Sequence, residues 1–286
     1  MTHGGEFPRR KVLGYAACVA MSLVTARAGA SPTTSSGLQV LALAGRQRML
    51  VQRMSSGIYF AALDLDAGAQ IRATERAADR FEHALRSLDV HVAELPAHPT
   101  LTKTIDLWSR AAPRYRDIIT AGTVSDADIE AVAQIDGLLA LTSGSLVGEL
   151  LAVASNLGAA LGPAIALDIA DRQAMLAARL SKDAAALAIG LSPSQSKASM
   201  AAALEQFERS HSALYDGQPE AAITPATPER RDALDAIQDL WQDYAAPLRR
   251  AADSGIASQF DLSAILQLSK PLQRRIAQLV DLYAAG

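Results

Sequence analysis

The stretches "AGRQRMLVQRMS" (Ala44–Ser55) and "ADRQAMLAARLS" (Ala170–Ser181) are two copies of one pattern. Superposing them pairs Arg46 with Arg172, Gln47 with Gln173, Met49 with Met175, Leu50 with Leu176 and Arg53 with Arg179, 126 positions apart. Phe81-Glu82 falls on Phe207-Glu208 at the same spacing, and the "DLW" at 106–108 falls on that at 239–241 at a spacing of 133. The seven extra residues fit the Pro-rich stretch "YDGQPEAAITPATPERR", residues 215–231. A unit of more than 100 residues is too long for a solenoid repeat, so the pattern implies a duplicated domain.

Outward from these copies the chain is rich in Ala and Leu, and no run of alternating β-branched or aromatic residues stands out. The fold expected is all-α: two tandem antiparallel four-helix bundles related by internal duplication. In the first, helices are expected over 36–65, 68–93, 99–121 and 126–156; in the second, over 163–190, 194–215, 227–253 and 260–284. Pro96, Pro99, Pro163 and Pro193 punctuate them, and Ser125 is placed to cap the fourth. Short connections favour antiparallel neighbours. The resulting division is residues 31–158 and 159–286, with the seam at Gly158–Pro163.

Residues 1–30 read as an export signal peptide and not as part of the fold. Arg9, Arg10 and Lys11 precede an apolar stretch from Val12 to about Ala26, and Ala28-Gly29-Ala30 offers a small-x-small cleavage site. The paired arginines resemble a twin-arginine signal, although Pro8 and Gly14 depart from its usual flanks. That route and the general secretory route both lead to the periplasm. Cys18, the chain's one cysteine, lies in this segment, so no disulfide is expected in the mature chain. The segment holds four of the 27 basic and one of the 30 acidic residues, leaving 23 against 29. Such a negative balance argues against nucleic acid as a partner. No later stretch has 18 uninterrupted apolar residues, so a spanning helix is not expected.

At 100° per residue, Val40, Leu43, Gln47, Leu50, Met54, Ala61 and Leu65 form the core stripe of the first helix. Arg46 and Arg53, with their counterparts Arg172 and Arg179, flank that stripe. Such arginines are expected to be structural, bonding helix carbonyls or acidic neighbours. Gln47 and Gln173 are expected to hydrogen-bond in the cores. Arg48 lies elsewhere, on a face shared with Leu41, Ala44, Gln52, Ser55 and Tyr59. The matching face of the second copy carries Leu167, Ala170, Ala174, Ala178 and Ser181, so the two first helices can approach closely there. An arginine on that seam is partly desolvated and requires an anion, either Asp171 or another acid, or a bound ligand.

The segment "LAGRQRMLVQRM" resembles the signature of the PilJ-type sensor domain, the periplasmic four-helix module of type IV pilus chemotaxis transducers. It is also similar to the P-box of nitrate/nitrite sensor histidine kinases. In those sensors the domain dimerises and an arginine from each first helix binds nitrate at the two-fold axis. The resemblance places that role on Arg48, with Ala44, Gln52 and Ser55 as its ligand-side neighbours and nitrate or nitrite as the ligand. The second copy has Ala174 in place of the ligand arginine, and Asp171 in place of Gly45. No HAMP, kinase or methyl-accepting region follows, so a separate membrane sensor or transducer is the expected partner, and self-association into a homodimer stays open.

No catalytic triad, phosphate-cradling Gly-rich loop or nucleophile elbow is present. His83, His91, His98 and His211 lack metal-ligand spacing. Neither enzymatic activity nor a metal or cofactor is expected. Trp108 and Trp241 are expected core anchors. The function expected is small-anion sensing; the alternative is a ligand-free helical interaction module of the cell envelope.

Overall fold

The protein's structure is a computed structural model that describes residues 34–285. The export segment and its Cys18 lie outside them. Eight α-helices account for the described chain: α1 Thr34–Ala62, α2 Ala67–Val92, α3 His98–Ala121, α4 Asp126–Ala152, α5 Leu161–Ala188, α6 Pro193–Asp216, α7 Pro228–Ser254 and α8 Gln259–Ala284. No strand occurs among the described residues, only an isolated bridge between Gln218 and Ile223.

Local chemistry sets the helix ends. Ser125 accepts a hydrogen bond from the Asp128 amide while the Asp128 carboxylate accepts from the Ser125 amide, a capping box that starts α4. Ser258 caps α8 by accepting from the Asp261 amide through its side chain. Gly122 and Gly255 close α3 and α7 with φ of 67° and 74°, a conformation glycine adopts without a Cβ penalty. These two pairs are 133 positions apart. The left-handed residues Asp64 and Asp66 recur 126 positions on, at Gly190 and Ser192. The spacing lengthens between α6 and α7, where residues 217–227 stand in place of the shorter 93–97 link. That connection folds back on α5: a Cβ on Gly162 would lie 2.4 Å from the Ala222 carbonyl oxygen.

α1 packs on α2 and α4, and α3 closes a ring by packing on the same two. The helices α5, α6, α7 and α8 make a second ring with the same order of neighbours. Each ring is anchored by an aromatic pair. Phe81 meets Trp108 at 5.0 Å, and Phe207 stacks on Trp241 at 3.7 Å between ring centroids. The expected division at 158–159 falls on the turn closed by Gly158, yet the described helices cluster as one compact unit, because α1 packs along its length on α5. By length and composition α4 is apolar enough to cross a membrane. It buries Val132, Leu139, Leu146, Val147 and Leu150 in the core while Leu138 and Leu141 stay exposed.

Candidate functional site

The α1–α5 seam is built from small side chains. Ala44, Ala170 and Ala178 are buried there, and Gly45 is closest of all: a Cβ on it would fall 2.3 Å from the Asp171 carboxylate. The helices run in the same direction, since roughly three to four turns beyond that contact on both helices Tyr59 and Asp183 face a common cleft. One cleft opens on each side of the seam.

Arg48 is buried in this seam, and its guanidinium donates to Asp168 Oδ1 at 2.6 Å. The other oxygen, Oδ2, accepts from Arg172 at 2.6 Å. Asp168 therefore holds two guanidinium groups, one buried and one half-exposed. Asp171, the acid expected from sequence as a partner of Arg48, makes no ion pair with it. Its carboxylate is turned toward Gly45, while Asp168, one helical turn earlier, has the reach and direction. The spacing of Asp168 to Arg172, four residues on one helix, is the sequence signal that identifies this acid. The Nε of Arg48 has no hydrogen-bond partner among the described residues.

Asp171 has a different chemistry. It is buried, one carboxylate oxygen lacks a partner, and burial pushes its pKa up to about 8 despite the opposing fields of Arg48 and Arg46. A raised acid pKa means that the folded state holds a proton that the unfolded state releases above the ordinary carboxylate range. Stability therefore falls as pH rises from about 4 to about 8, by up to about 1.4 kcal/mol per unit from this group. Asp171→Asn is expected to raise the melting temperature by several degrees at pH 8 and to leave it nearly unchanged at pH 4. Parallel thermal melts at the two pH values check it, and an equal gain at both would exclude the titration.

The first cleft, about 960 Å³, lies between α1, α4, α5 and α6. Arg48 and Gln52 line it together with Arg172, Arg179, Lys182, Asp136 and Asp183. Lys182 donates to Asp136 at 2.7 Å and lies 3.8 Å from Asp183. Arg179 donates to Ser199 at 3.0 Å, and Ser199 in turn bonds Asp183. Burial raises the pKa of Asp183 against the opposing influence of Lys182 and Ser199. Of the residues expected beside Arg48, Ala44 is closed inside the seam and Ser55 is turned onto Asp136 at 2.9 Å, so neither lines the cleft. Sequence reasoning missed Asp136, Lys182 and Asp183, because Asp136 of α4 meets the two α5 residues only through tertiary packing.

The remaining arginines divide. Arg46 reaches only the exposed Asp281 at 3.6 Å, a solvent-screened pair. Arg179 has the acidic neighbour expected of it, at 3.5 Å. Arg53 has none: it makes no ion pair or hydrogen bond with a described residue and faces the second cleft, between α1, α2, α5 and α8. Gln47 and Gln173 are fully buried, but their amide groups lack the expected partners among the described residues.

Residues 157–267 match the family described as PilJ, type IV pili methyl-accepting chemotaxis transducer N-term. The matched segment runs from within the α4–α5 connection into α8 and contains the second copy of the pattern, the one with Ala174. This part of the chain is similar to the sensory domain of those transducers, an all-α signalling module. No curated protein and no solved structure matches the chain.

Proposed function

We propose that the protein is an exported, periplasmic sensor-type module for a small anion, with nitrate or nitrite the leading ligand, and that it reports to a separate membrane transducer. In this reading an internal duplication has placed two PilJ-type four-helix bundles in one chain, so that α1 and α5 reproduce the dimer seam of the sensors it resembles. The recurrence of caps and left-handed residues at spacings of 126 and 133 supports the duplication. The observation that carries the anion reading is Arg48, a buried guanidinium facing the first cleft with an unpartnered Nε. A planar oxyanion accepts parallel hydrogen bonds from such a group. To do so it competes with Asp168, and exchange of that carboxylate for a ligand alters the packing between α1 and α5. No catalytic role is proposed.

Thermal shift of the mature chain with nitrate, nitrite, sulfate and chloride tests this. A ligand at about 100 times its Kd stabilises the fold by roughly 2.7 kcal/mol. Arg48→Ala is expected to remove that shift and to destabilise the unliganded protein by only about 1 kcal/mol, because Asp168 keeps Arg172. A nitrate shift that survives Arg48→Ala would sink the assignment. The second reading, a ligand-free interaction module, is favoured by the outer face of α4, where exposed Leu138 borders a groove of about 230 Å³ with Leu107 and Ile135.

A further inference from the structure

The second cleft, about 720 Å³, has an unbalanced charge. Arg53, Arg76, Lys270 and Arg274 line it, from α1, α2 and α8. Its lining contains one carboxylate, the exposed Asp66 at the α1–α2 turn. None of the four cations forms an ion pair with a described residue. Burial, and then the nearby charges of Arg80 and Arg76, hold the Arg53 pKa below its ordinary value, as expected where cations gather without a counter-charge.

Comparison with the first cleft shows how the imbalance arises. The two clefts are lined by equivalent positions: Ala133, Asp136, Gly137 and Ala140 of α4 correspond, 133 positions on, to Leu266, Ser269, Lys270 and Gln273 of α8. Ser192, Gln195 and Ser199 correspond, 126 positions back, to Asp66, Ala69 and Ala73. The three acids that neutralise the first site, Asp136, Asp168 and Asp183, are matched by Ser269, Ala42 and Gly57. Arg179 is retained as Arg53, Gly137 has become Lys270, and Leu141 has become Arg274. At Gly57 an acid has no room, since even a Cβ would lie 2.2 Å from the Thr74 hydroxyl. Relative to its counterpart, this cleft keeps four lining cations but has lost the acids that neutralise them, with the exposed Asp66 as its one lining carboxylate.

We propose that the second cleft is a binding site for a small, multiply charged oxyanion, a phosphate or a polycarboxylate, held by Arg53 at its base and by Arg76, Lys270 and Arg274 around it. A monoanion such as nitrate balances one of the four cations, whereas a di- or trianion relieves most of their mutual repulsion. Two or more oxygens also use the guanidinium forks in pairs. The volume suits a small metabolite-sized ligand, and Ser56, Ser181 and Gln70 supply uncharged hydrogen-bonding groups at the wall. Because α1 and α2 belong to one ring and α5 and α8 to the other, a ligand here ties the two rings together across the seam. This site uses none of the residues of the first cleft and does not depend on the nitrate reading.

Isothermal titration calorimetry of the mature chain with pyrophosphate, citrate, inorganic phosphate and nitrate decides the matter. The expected result is saturable binding of pyrophosphate or citrate, at least about tenfold tighter than nitrate. The Lys270→Ser/Arg274→Ser variant, altered at two exposed positions, is expected to weaken that binding at least about tenfold, with an unliganded melting temperature equal to or above that of the parent. Arg48→Ala is expected to leave it unchanged. The proposal is overturned if none of the multivalent anions binds saturably, if the double variant binds as tightly as the parent, or if Arg48→Ala removes the binding. Sedimentation with phosphatidylglycerol vesicles separates a free anion from a lipid headgroup. Vesicle binding without binding of the free anions would also overturn it.

Discussion

Asp168→Ala is expected to destabilise the unliganded protein by about 3–5 kcal/mol, the loss typical of removing one partner from a buried ion pair. One carboxylate serves two arginines here, and the buried Arg48 has no other acid within bonding distance among the described residues. Its deletion strands a guanidinium in the seam, where desolvation is not offset. The converse deletion is mild, because Asp168 still has Arg172. Urea unfolding of Asp168→Ala, Arg48→Ala and the double variant measures this asymmetry. The double variant is expected to be more stable than Asp168→Ala alone, since it removes the stranded charge with its partner. Equal losses of under about 1 kcal/mol in both single variants would mean that water reaches the pair and screens it.

The second large effect belongs to Gly45. Its missing side chain is what allows α1 to touch α5, as a Cβ there would meet the Asp171 carboxylate at 2.3 Å, its carbon at 2.6 Å and the Asp171 Cβ at 2.9 Å. The last of these cannot rotate away, so relief requires the helices to separate. Gly45→Val is expected to lower stability by about 3 kcal/mol, at the upper end for overpacking a core. It should also raise the exposure of both clefts. Asp171→Gly is the matching relief: Gly45→Ala with Asp171→Gly exchanges large for small across one contact and is expected to recover most of the loss of Gly45→Ala alone. Thermal melts of the four proteins give the coupling, and simple additivity would show that the seam yields elsewhere.

Much of the fold is legible in the chain itself. The eight helices lie within a few residues of their expected bounds; the largest difference is α4, which ends at Ala152 and hands over to a 3-10 turn at Ala154–Leu157. Caps and glycines announce these ends locally, which is why a single sequence reveals them. Arg48 was also legible as a seam residue, because helical period places it off the core stripe. Its partner was not. Asp168 and Asp171 are both acids on the same helix, one turn apart, and choosing between them requires the height at which α1 crosses α5. Gly45 sets that height by a contact between residues 126 apart.

The same division runs through the candidate sites. Periodicity and capping are properties of neighbours within one turn or two, so the sequence by itself determined an all-α chain, a motif that recurs 126 positions on, and a face of small residues interrupted by Arg48. The clefts, by contrast, are assembled from four helices each, and their charge is a sum over residues far apart in the chain. Arg53 and Arg179 occupy equivalent positions in the repeat and look alike in sequence. Only tertiary packing gave Arg179 an acid and a serine while leaving Arg53 among other cations, since the field at a side chain is set by whatever the neighbouring helices bring within a few ångströms.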